Sequence, residues 1–202
     1  MLEVLDLACT RGDRPLFRNL SFRLNAGELL HVRGENGSGK TTLLRTLCGL
    51  SQPAAGEIRW DGQSICEQSD SYRQRLCYIG HGNAIHGDLT PVENLQFEAC
   101  LGAEGRIEAK PALESLGLAR VAALPTKLLS QGQKRRVALA RLAVPGRALW
   151  VLDEPFTALD ARAVDRLLAA LAQHLERGGL CLLTSHQQVT VANRPVRTLT
   201  LE

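Results

Sequence analysis

A glycine-rich loop with a single lysine carries the clearest chemistry in the sequence. Residues 34–41 read Gly-Glu-Asn-Gly-Ser-Gly-Lys-Thr and fit the pattern G-x-x-x-x-G-K-[ST]. Such glycines let successive backbone N–H groups point at a phosphate, with a helix N-terminus behind them. Lys40 then reaches the β- and γ-phosphates, and the Thr41 hydroxyl suits Mg²⁺. The residues expected to surround the phosphates are Gly34, Glu35, Asn36, Gly37, Ser38, Gly39, Lys40, Thr41 and Thr42.

The context of this loop favours phosphate binding over the alternative, an ordinary glycine-rich turn. An apolar strand pattern ends at Gly34, and a helical pattern opens at Gly39.

A second apolar run, residues 148–152, leads into Asp153 and Glu154. Asp153 is suited to hold Mg²⁺ through its water shell, and Glu154 to polarise the attacking water as general base. The alternative is that these carboxylates only end a strand and cap a turn. Together the two motifs predict a P-loop NTPase.

The composition bounds the class of protein. The 202 residues are 45% hydrophobic and 22% charged, which indicates one soluble globular domain. The 24 basic and 21 acidic residues are dispersed along the chain, so we expect no nucleic-acid partner. No apolar run approaches the ~18 residues of a membrane helix, and Glu3 and Asp6 interrupt any signal-peptide core. The six cysteines lack metal-site spacing, so we expect free, mostly buried thiols.

The order of apolar runs predicts an α/β fold with a mainly parallel sheet. Strands alternate with helical patterns at both ends of the chain, and residues 91–145 look like a helical insertion. The predicted strands are 2–7, 16–24, 28–32, 57–60, 76–79, 148–152, 180–184 and 198–201, and the short strands 57–60 and 76–79 form a pair that is separated by the turn at Asp61 and Gly62. Helices are predicted at 41–47, from Ser130, and at 160–176.

A third motif, Leu129-Ser130-Gln131-Gly132-Gln133, identifies the kind of NTPase. A capping box explains Ser130 and Gln133 but not Gly132, which costs ~1 kcal/mol relative to Ala within a helix. The segment resembles the L-S-x-G-Q signature of the ABC-type ATPases. The resemblance implies that Ser130, Gly132 and Gln133 bind the γ-phosphate of an ATP held by a second copy, at the positive end of the helix.

Other segments continue this resemblance over essentially the whole chain. Residues 157–160 look like the family's D-loop, and residues 184–186 end in its switch histidine. Asp160 is then a contact in trans, although it also reads as a helix N-cap. His186 is then a contact to the γ-phosphate and the attacking water, although alone it reads as a strand-end histidine. Residues 53–62 resemble the family's antiparallel β-subdomain. The implied organisation is one ATP-binding domain, 1–202, with a core of about 1–90 and 146–202 and a helical subdomain of about 91–145.

Two positions depart from the family pattern. The usual magnesium-contacting glutamine is replaced by His81, since no glutamine lies between Gln74 and Gln96. A neutral imidazole can coordinate or hydrogen-bond, or His81 can simply pack while water makes the contact. The aromatic residue that usually stacks on adenine falls near Arg11, whose guanidinium can also stack. Phe17 is the alternative.

The resemblance is strongest to the ATP-binding subunits of cytochrome c maturation, often called haem exporter ATPases. It is carried by residues 79–81, 89–90, 93–95, 16–17, 19–22 and 24–29. It implies a head-to-tail homodimer that hydrolyses ATP with Mg²⁺. It also implies a separate integral membrane subunit and a peripheral position on the cytoplasmic face of a bacterial inner membrane. The alternatives are the ATPase of another ABC importer or exporter and a soluble ABC ATPase of repair or translation. The last class typically has two ATPase halves or long insertions in one chain.

Overall fold

The computed structural model describes residues 1–12, 14–101, 107–192 and 194–202. Within these ranges the chain forms nine strands and six α-helices, with three short 3₁₀ turns. The strands are β1 (Leu2–Arg11), β2 (Arg14–Leu24), β3 (Leu29–Gly34), β4 (Ala55–Trp60), β5 (Gln63–Ser64), β6 (Leu76–Ile79), β7 (Leu149–Leu152), β8 (Leu180–Thr184) and β9 (Val196–Leu201). The helices are α1 (Lys40–Leu47), α2 (Ser69–Gln74), α3 (Pro91–Cys100), α4 (Ala109–Ser115), α5 (Gln131–Ala140) and α6 (Ala161–Glu176).

A five-stranded parallel sheet forms the centre of the molecule, in the order β6-β7-β8-β3-β9. Every residue of β7 and β8 is buried. Their uninterrupted apolar runs are typical of parallel strands that are covered on both faces. The carboxyl ends of parallel strands meet at one edge of the sheet. That edge therefore carries the loops after β3, β6, β7 and β8, which hold the sequence motifs.

A second, antiparallel sheet has the order β2-β1-β4-β5. The predicted strands 57–60 and 76–79 both form, but in different sheets: β4 pairs with β1, and β6 pairs with β7. The turn at Asp61 and Gly62 leads instead into β5. Both turn residues have positive φ, 51° and 84°, as a tight two-residue hairpin requires.

The chain between β6 and β7 is mainly helical and has its own apolar cluster, which includes Leu95, Leu113, Leu118 and Val137. Helix α3 begins at a capping box, in which the Thr90 hydroxyl accepts from the Glu93 amide and the Glu93 carboxylate accepts from the Thr90 amide. Residues 102–106 of the predicted helical subdomain lie outside the described residues. The subdomain bounds of 91–145 stay a prediction.

The free thiols are mostly buried, as expected from the composition. Four of the six free thiols, Cys9, Cys48, Cys77 and Cys181, are buried. Cys66 and Cys100 are exposed. Among the helices of the described ranges, none combines the length and apolar character needed to cross a bilayer.

Candidate nucleotide-binding site

The glycine-rich loop connects β3 to α1 and depends on its glycines for steric reasons. Gly34 has φ +152°, and a Cβ there would lie 2.6 Å from the carbonyl oxygen of Leu201 on β9. Gly39 has φ +98°, and a Cβ there would lie 3.1 Å from Cβ of Leu16. Larger residues would therefore displace the loop from β9 and β2.

Lys40 and Ser38 direct polar groups into this loop. Lys40 Nζ donates to the carbonyl oxygens of Gly34 and Glu35 at 2.8 and 2.9 Å. These contacts hold the ammonium group against the loop. Ser38 Oγ is buried, and no hydrogen-bond partner for it is found in the described residues. Such a buried hydroxyl is costly unless a ligand or water satisfies it.

The end of β7 brings Asp153 into contact with two hydroxyl groups. Thr41 Oγ1 donates to Asp153 Oδ2 at 2.8 Å, and Thr184 Oγ1 donates to Asp153 Oδ1 at 2.7 Å. Asp153 is buried. Its two oxygens are therefore fixed by α1 on one side and by β8 on the other.

Glu154 has a strained backbone that is fixed by hydrogen bonds. Its φ is +49°, a left-handed conformation that costs about 1–3 kcal/mol for a residue with a side chain. Its amide donates to Thr184 Oγ1 at 2.9 Å. Its Oε1 atom is buried without a hydrogen-bond partner in the described residues, and His186 Nε2 lies 3.6 Å from it. That distance is within ion-pair range but is too long for a hydrogen bond.

These groups surround one cavity of about 320 Å³ at the carboxyl edge of the parallel sheet. It is lined by Arg11, Leu16, Asn36, Gly37, Gly39, Lys40, Thr41, Thr42, His81, Asp153, Glu154 and His186. An adjoining cavity of about 760 Å³ includes Gly34, Glu35 and Ser38. The fold thus brings together all the predicted residues of the phosphate loop, the acidic pair, the histidines and Arg11.

The predicted contacts in trans lie apart from both cavities. The Ser130 hydroxyl accepts from the Gln133 amide, and Gln133 Oε1 accepts from the Ser130 amide, which forms the capping box of α5. Asp160 caps α6 by accepting from the Ala163 amide at 2.8 Å. A Cβ on Gly132 would lie 2.9 Å from the carbonyl oxygen of Ala158. Gly132 is therefore also required by packing within its own chain.

The oxygen set at Thr41 and Asp153 fits a magnesium ion. Mg²⁺ is usually held by one or two protein oxygens together with phosphates and water rather than by a protein cage. In the described part of the chain, no group of three or more His, Cys, Asp or Glu side chains is arranged to hold a metal ion. The Thr41 hydroxyl and the Asp153 carboxylate supply the smaller set that a nucleotide-bound ion needs.

Sequence reasoning assigned no role to Thr184 or Arg135, and both contact the acidic pair. Arg135, on α5, donates to the carbonyl oxygens of Asp153 and Glu154 at 2.9 and 2.8 Å. The sequence signal for Thr184 is a polar residue that ends an apolar strand. The signal for Arg135 is weaker, since three basic residues follow each other at 134–136.

Comparisons with known proteins decide the family. The family model for ABC transporters matches residues 17–157. The chain belongs to the ABC transporter family. This ABC chain is 55% identical to the "cytochrome c biogenesis ATP-binding export protein CcmA" of Dechloromonas aromatica, and the match covers 100% of both chains. It is 50% identical to the CcmA protein of Escherichia coli K12, over 100% of this chain and 96% of the relative. The predicted resemblance is confirmed.

Solved structures confirm the predicted fold class. An ATP-binding subunit of an ABC transporter superposes with a TM-score of 0.83 at 28% identity, covering 92% of this chain and 79% of that chain. The dimeric ABC transporter cassette MJ0796 superposes with a TM-score of 0.83 at 24% identity, covering 99% and 94%. This ABC chain is an ATP-binding subunit whose ATP hydrolysis is coupled to transport.

Proposed function

We propose that this chain hydrolyses ATP to energise an export complex for cytochrome c biogenesis, in which haem is delivered or released. The observation that carries the hydrolytic part is the convergence of Lys40, Asp153, Glu154 and His186 on one cavity. The pathway rests on the relatives at 55%, 48% and 50% identity over nearly the full chain, which are named for cytochrome c biogenesis.

Each residue of the cavity has a proposed role in hydrolysis. The loop amides and Lys40 bind the β- and γ-phosphates, and Arg11 stacks on the adenine. Glu154 polarises the attacking water, and His186 contacts the γ-phosphate and that water. The buried Glu154 Oε1 supports this role, because among the described residues it has no hydrogen-bond donor and can therefore accept from water.

Thr41 and Asp153 would hold Mg²⁺, with His81 as a further contact. When bound, the ion neutralises charge on the phosphate oxygens. Thr184 fixes one Asp153 oxygen, so the carboxylate keeps its orientation when Thr41 exchanges its hydrogen bond for a metal contact.

We further propose a head-to-tail homodimer that binds two ATP molecules between its copies. Ser130, Gly132, Gln133 and Asp160 lie outside their own chain's nucleotide cavity, which leaves them available to the ATP of a second copy. The exposed N-terminus of α5, a helix of ten residues, offers a partial positive charge to the γ-phosphate. ATP would then close the dimer, and hydrolysis with loss of phosphate would open it.

The membrane subunit is proposed to dock at a groove of about 850 Å³ between the parallel sheet and the helical segment. Leu50 and Leu101 line it and are 51% and 60% exposed. The groove also reaches Thr41 and His81, so a chain seated there contacts the loop next to the nucleotide cavity. The position of the ATPase would then be peripheral, on the cytoplasmic face of the inner membrane.

The test is recovery of tagged Glu154→Gln protein from membranes with MgATP, followed by identification of bound chains and an absorbance scan for haem. We expect a multi-span membrane chain together with haem or a haem-handling protein. Recovery of a solute permease without haem would overturn the pathway. Recovery of ribosomes or DNA alone would overturn the transport function. Lys40→Ala protein is the control, because it should lose the ATP-dependent part of the recovery.

A further inference from the structure

Arg135 is a buried charged residue with an unusual set of partners. Arg135 is 4% exposed and lies on α5, five positions after Ser130. Nη2 donates to the carbonyl oxygens of Asp153 and Glu154, at 2.9 and 2.8 Å. Nη1 donates to the carbonyl oxygen of Gly80 at 2.9 Å and to Asn83 Oδ1 at 3.4 Å. One guanidinium therefore joins the helix, the end of β7 and the loop after β6.

This arrangement is unfavourable for folding unless the partners of the guanidinium compensate. Burial of a charged group carries a large desolvation cost, and Arg135 Nε is buried with no hydrogen-bond partner in the described residues. Burial lowers the pKa of the Arg135 guanidinium, and the nearby carboxylates of Asp153 and Glu154 oppose that change. The side chain stays charged because an arginine does not deprotonate in proteins. Its charge acts on carbonyl dipoles next to the two carboxylates.

The hydrogen bond to Glu154 falls on a residue whose backbone is strained. The Glu154 amide donates to Thr184, its carbonyl accepts from Arg135, and its φ is +49°. A left-handed conformation persists in a residue with a side chain only when its surroundings fix it. Thr184 and Arg135 fix the two peptide groups on either side of the Glu154 Cα, and this sets the direction of the carboxylate.

We propose that Arg135 is a positioning residue for ATP hydrolysis, which holds the Glu154 backbone in register with the His81 loop and with the helix that begins at Ser130. The proposal rests on the proposed role of Glu154 as general base. Arg135 also links the two ATP sites. Helix α5 begins at the residues that are proposed to bind the second copy's ATP, and it continues to Arg135, which contacts the base at the chain's own ATP. A shift of α5 is thereby transmitted to the base at the chain's own ATP.

The expected signature is a loss of turnover without a loss of nucleotide binding. Arg135 does not line the nucleotide cavity, so its removal leaves the phosphate contacts in place. A misplacement of the base by about 1 Å can cost on the order of 100-fold in rate. A lysine supplies the charge but not the planar fork that reaches four acceptors. The lysine variant should therefore fall between the wild type and the glutamine variant.

The experiment compares Arg135→Gln, Arg135→Lys and Arg166→Gln in the full chain, with its co-purifying chains retained. Arg166→Gln is the control, because it removes the same charge from an exposed position on α6. Arg166 lines neither of the two nucleotide cavities. The measurements are kcat and KM for ATP, the Kd for MgATP and Tm.

We expect Arg135→Gln to lower kcat by about 10- to 100-fold, with KM and Kd changed by less than about threefold. Arg166→Gln should keep both constants near the wild type. An unchanged kcat in Arg135→Gln, or an equal loss in Arg166→Gln, would overturn the inference. If Arg135→Gln does not fold, the same constants are measured on Arg135→Lys. A kcat below that of the wild type with an unchanged KM supports the inference, and a wild-type kcat overturns it.

Glu154→Gln is measured in parallel to separate the two proposals. If Glu154→Gln hydrolyses ATP as fast as the wild type, the proposed role of Glu154 fails. If Glu154→Gln is inactive and Arg135→Gln is not impaired, only the positioning role of Arg135 fails.

Discussion

The Thr184 hydroxyl connects the two acidic residues, because it donates to Asp153 Oδ1 at 2.7 Å and accepts from the Glu154 amide at 2.9 Å. Thr184 ends β8 and is fully buried. One side chain on a neighbouring strand therefore sets both the orientation of the proposed metal-binding carboxylate and the backbone of the proposed base.

Replacement of this hydroxyl by a methyl group should reduce both stability and turnover. Thr184→Val keeps the volume of the side chain but leaves the Glu154 amide without its acceptor, at a cost of about 1–3 kcal/mol. We expect a lower free energy of unfolding in urea and a lower kcat. Thr198→Val, at an exposed position on β9, is the control and should change stability by less than about 0.5 kcal/mol. Equal stability of the two variants would contradict the prediction.

Lys40 should contribute mainly to nucleotide binding. Its ammonium group lies against the Gly34 and Glu35 carbonyls, where a phosphate group would gain a charge-assisted hydrogen bond. Hydrogen bonds to charged groups contribute about 1.5–3 kcal/mol, so Lys40→Ala should raise the Kd for MgATP at least about tenfold. Titration calorimetry measures this change. Lys110→Ala, at an exposed position on α4, should bind as the wild type does.

His81 should lower the Mg²⁺ concentration that hydrolysis requires. It lines the nucleotide cavity together with Thr41 and Asp153, and an imidazole nitrogen is a common metal ligand. His81→Ala should therefore raise the Mg²⁺ concentration at which the ATPase rate is half-maximal. An unchanged Mg²⁺ requirement would contradict the coordinating role. His86→Ala is the control, since His86 packs edge-on against Phe97 and does not line the nucleotide cavity.

The six thiols should react with a thiol reagent at two different rates, one fast and one slow. Cys66 and Cys100 are exposed, whereas the other four are buried. Burial raises the pKa of Cys77 to about 11 and also raises the pKa values of Cys48 and Cys181, which keeps these thiols protonated and unreactive at neutral pH. An Ellman titration should count two thiols in native protein and six in denaturant. Replacing Cys66 and Cys100 by Ser should abolish the fast class, and four fast thiols in native protein would contradict the burial.

The sequence predicted the parallel sheet well because its evidence was local. The apolar runs at β3, β7 and β8 end in Gly34, Asp153 and Thr184, and parallel strands place such ends at one edge of a sheet. The pairing of β4 with β1 was not predicted, because strand pairing depends on residues far away along the chain. Helix α2 has only six residues, too few for a visible helical period.

The roles of single residues depended on long-range contacts in the same way. Lys40 and Glu154 belong to motifs whose spacing already implies their chemistry. Arg135 reaches Gly80 and Glu154, which lie 55 and 19 positions away, and no local pattern specifies those contacts. The roles of Ser130 and Asp160 toward a second copy stay predictions, because the helix caps that they form within one chain would be the same with or without a second copy.

The position of β8 in the parallel sheet has a consequence for hydrogen exchange. It lies between β7 and β3, and all five of its residues are buried. Amides in such a strand exchange only through global unfolding, whereas short helices at the periphery exchange through local opening. The Thr184 amide should therefore be among the last to take up deuterium, and those of α3 and α4 among the earlier ones. Asp153 and Glu154, which follow the neighbouring strand β7, would then be anchored to the slowest-exchanging part of the protein, while α3 and α4 open on a faster timescale.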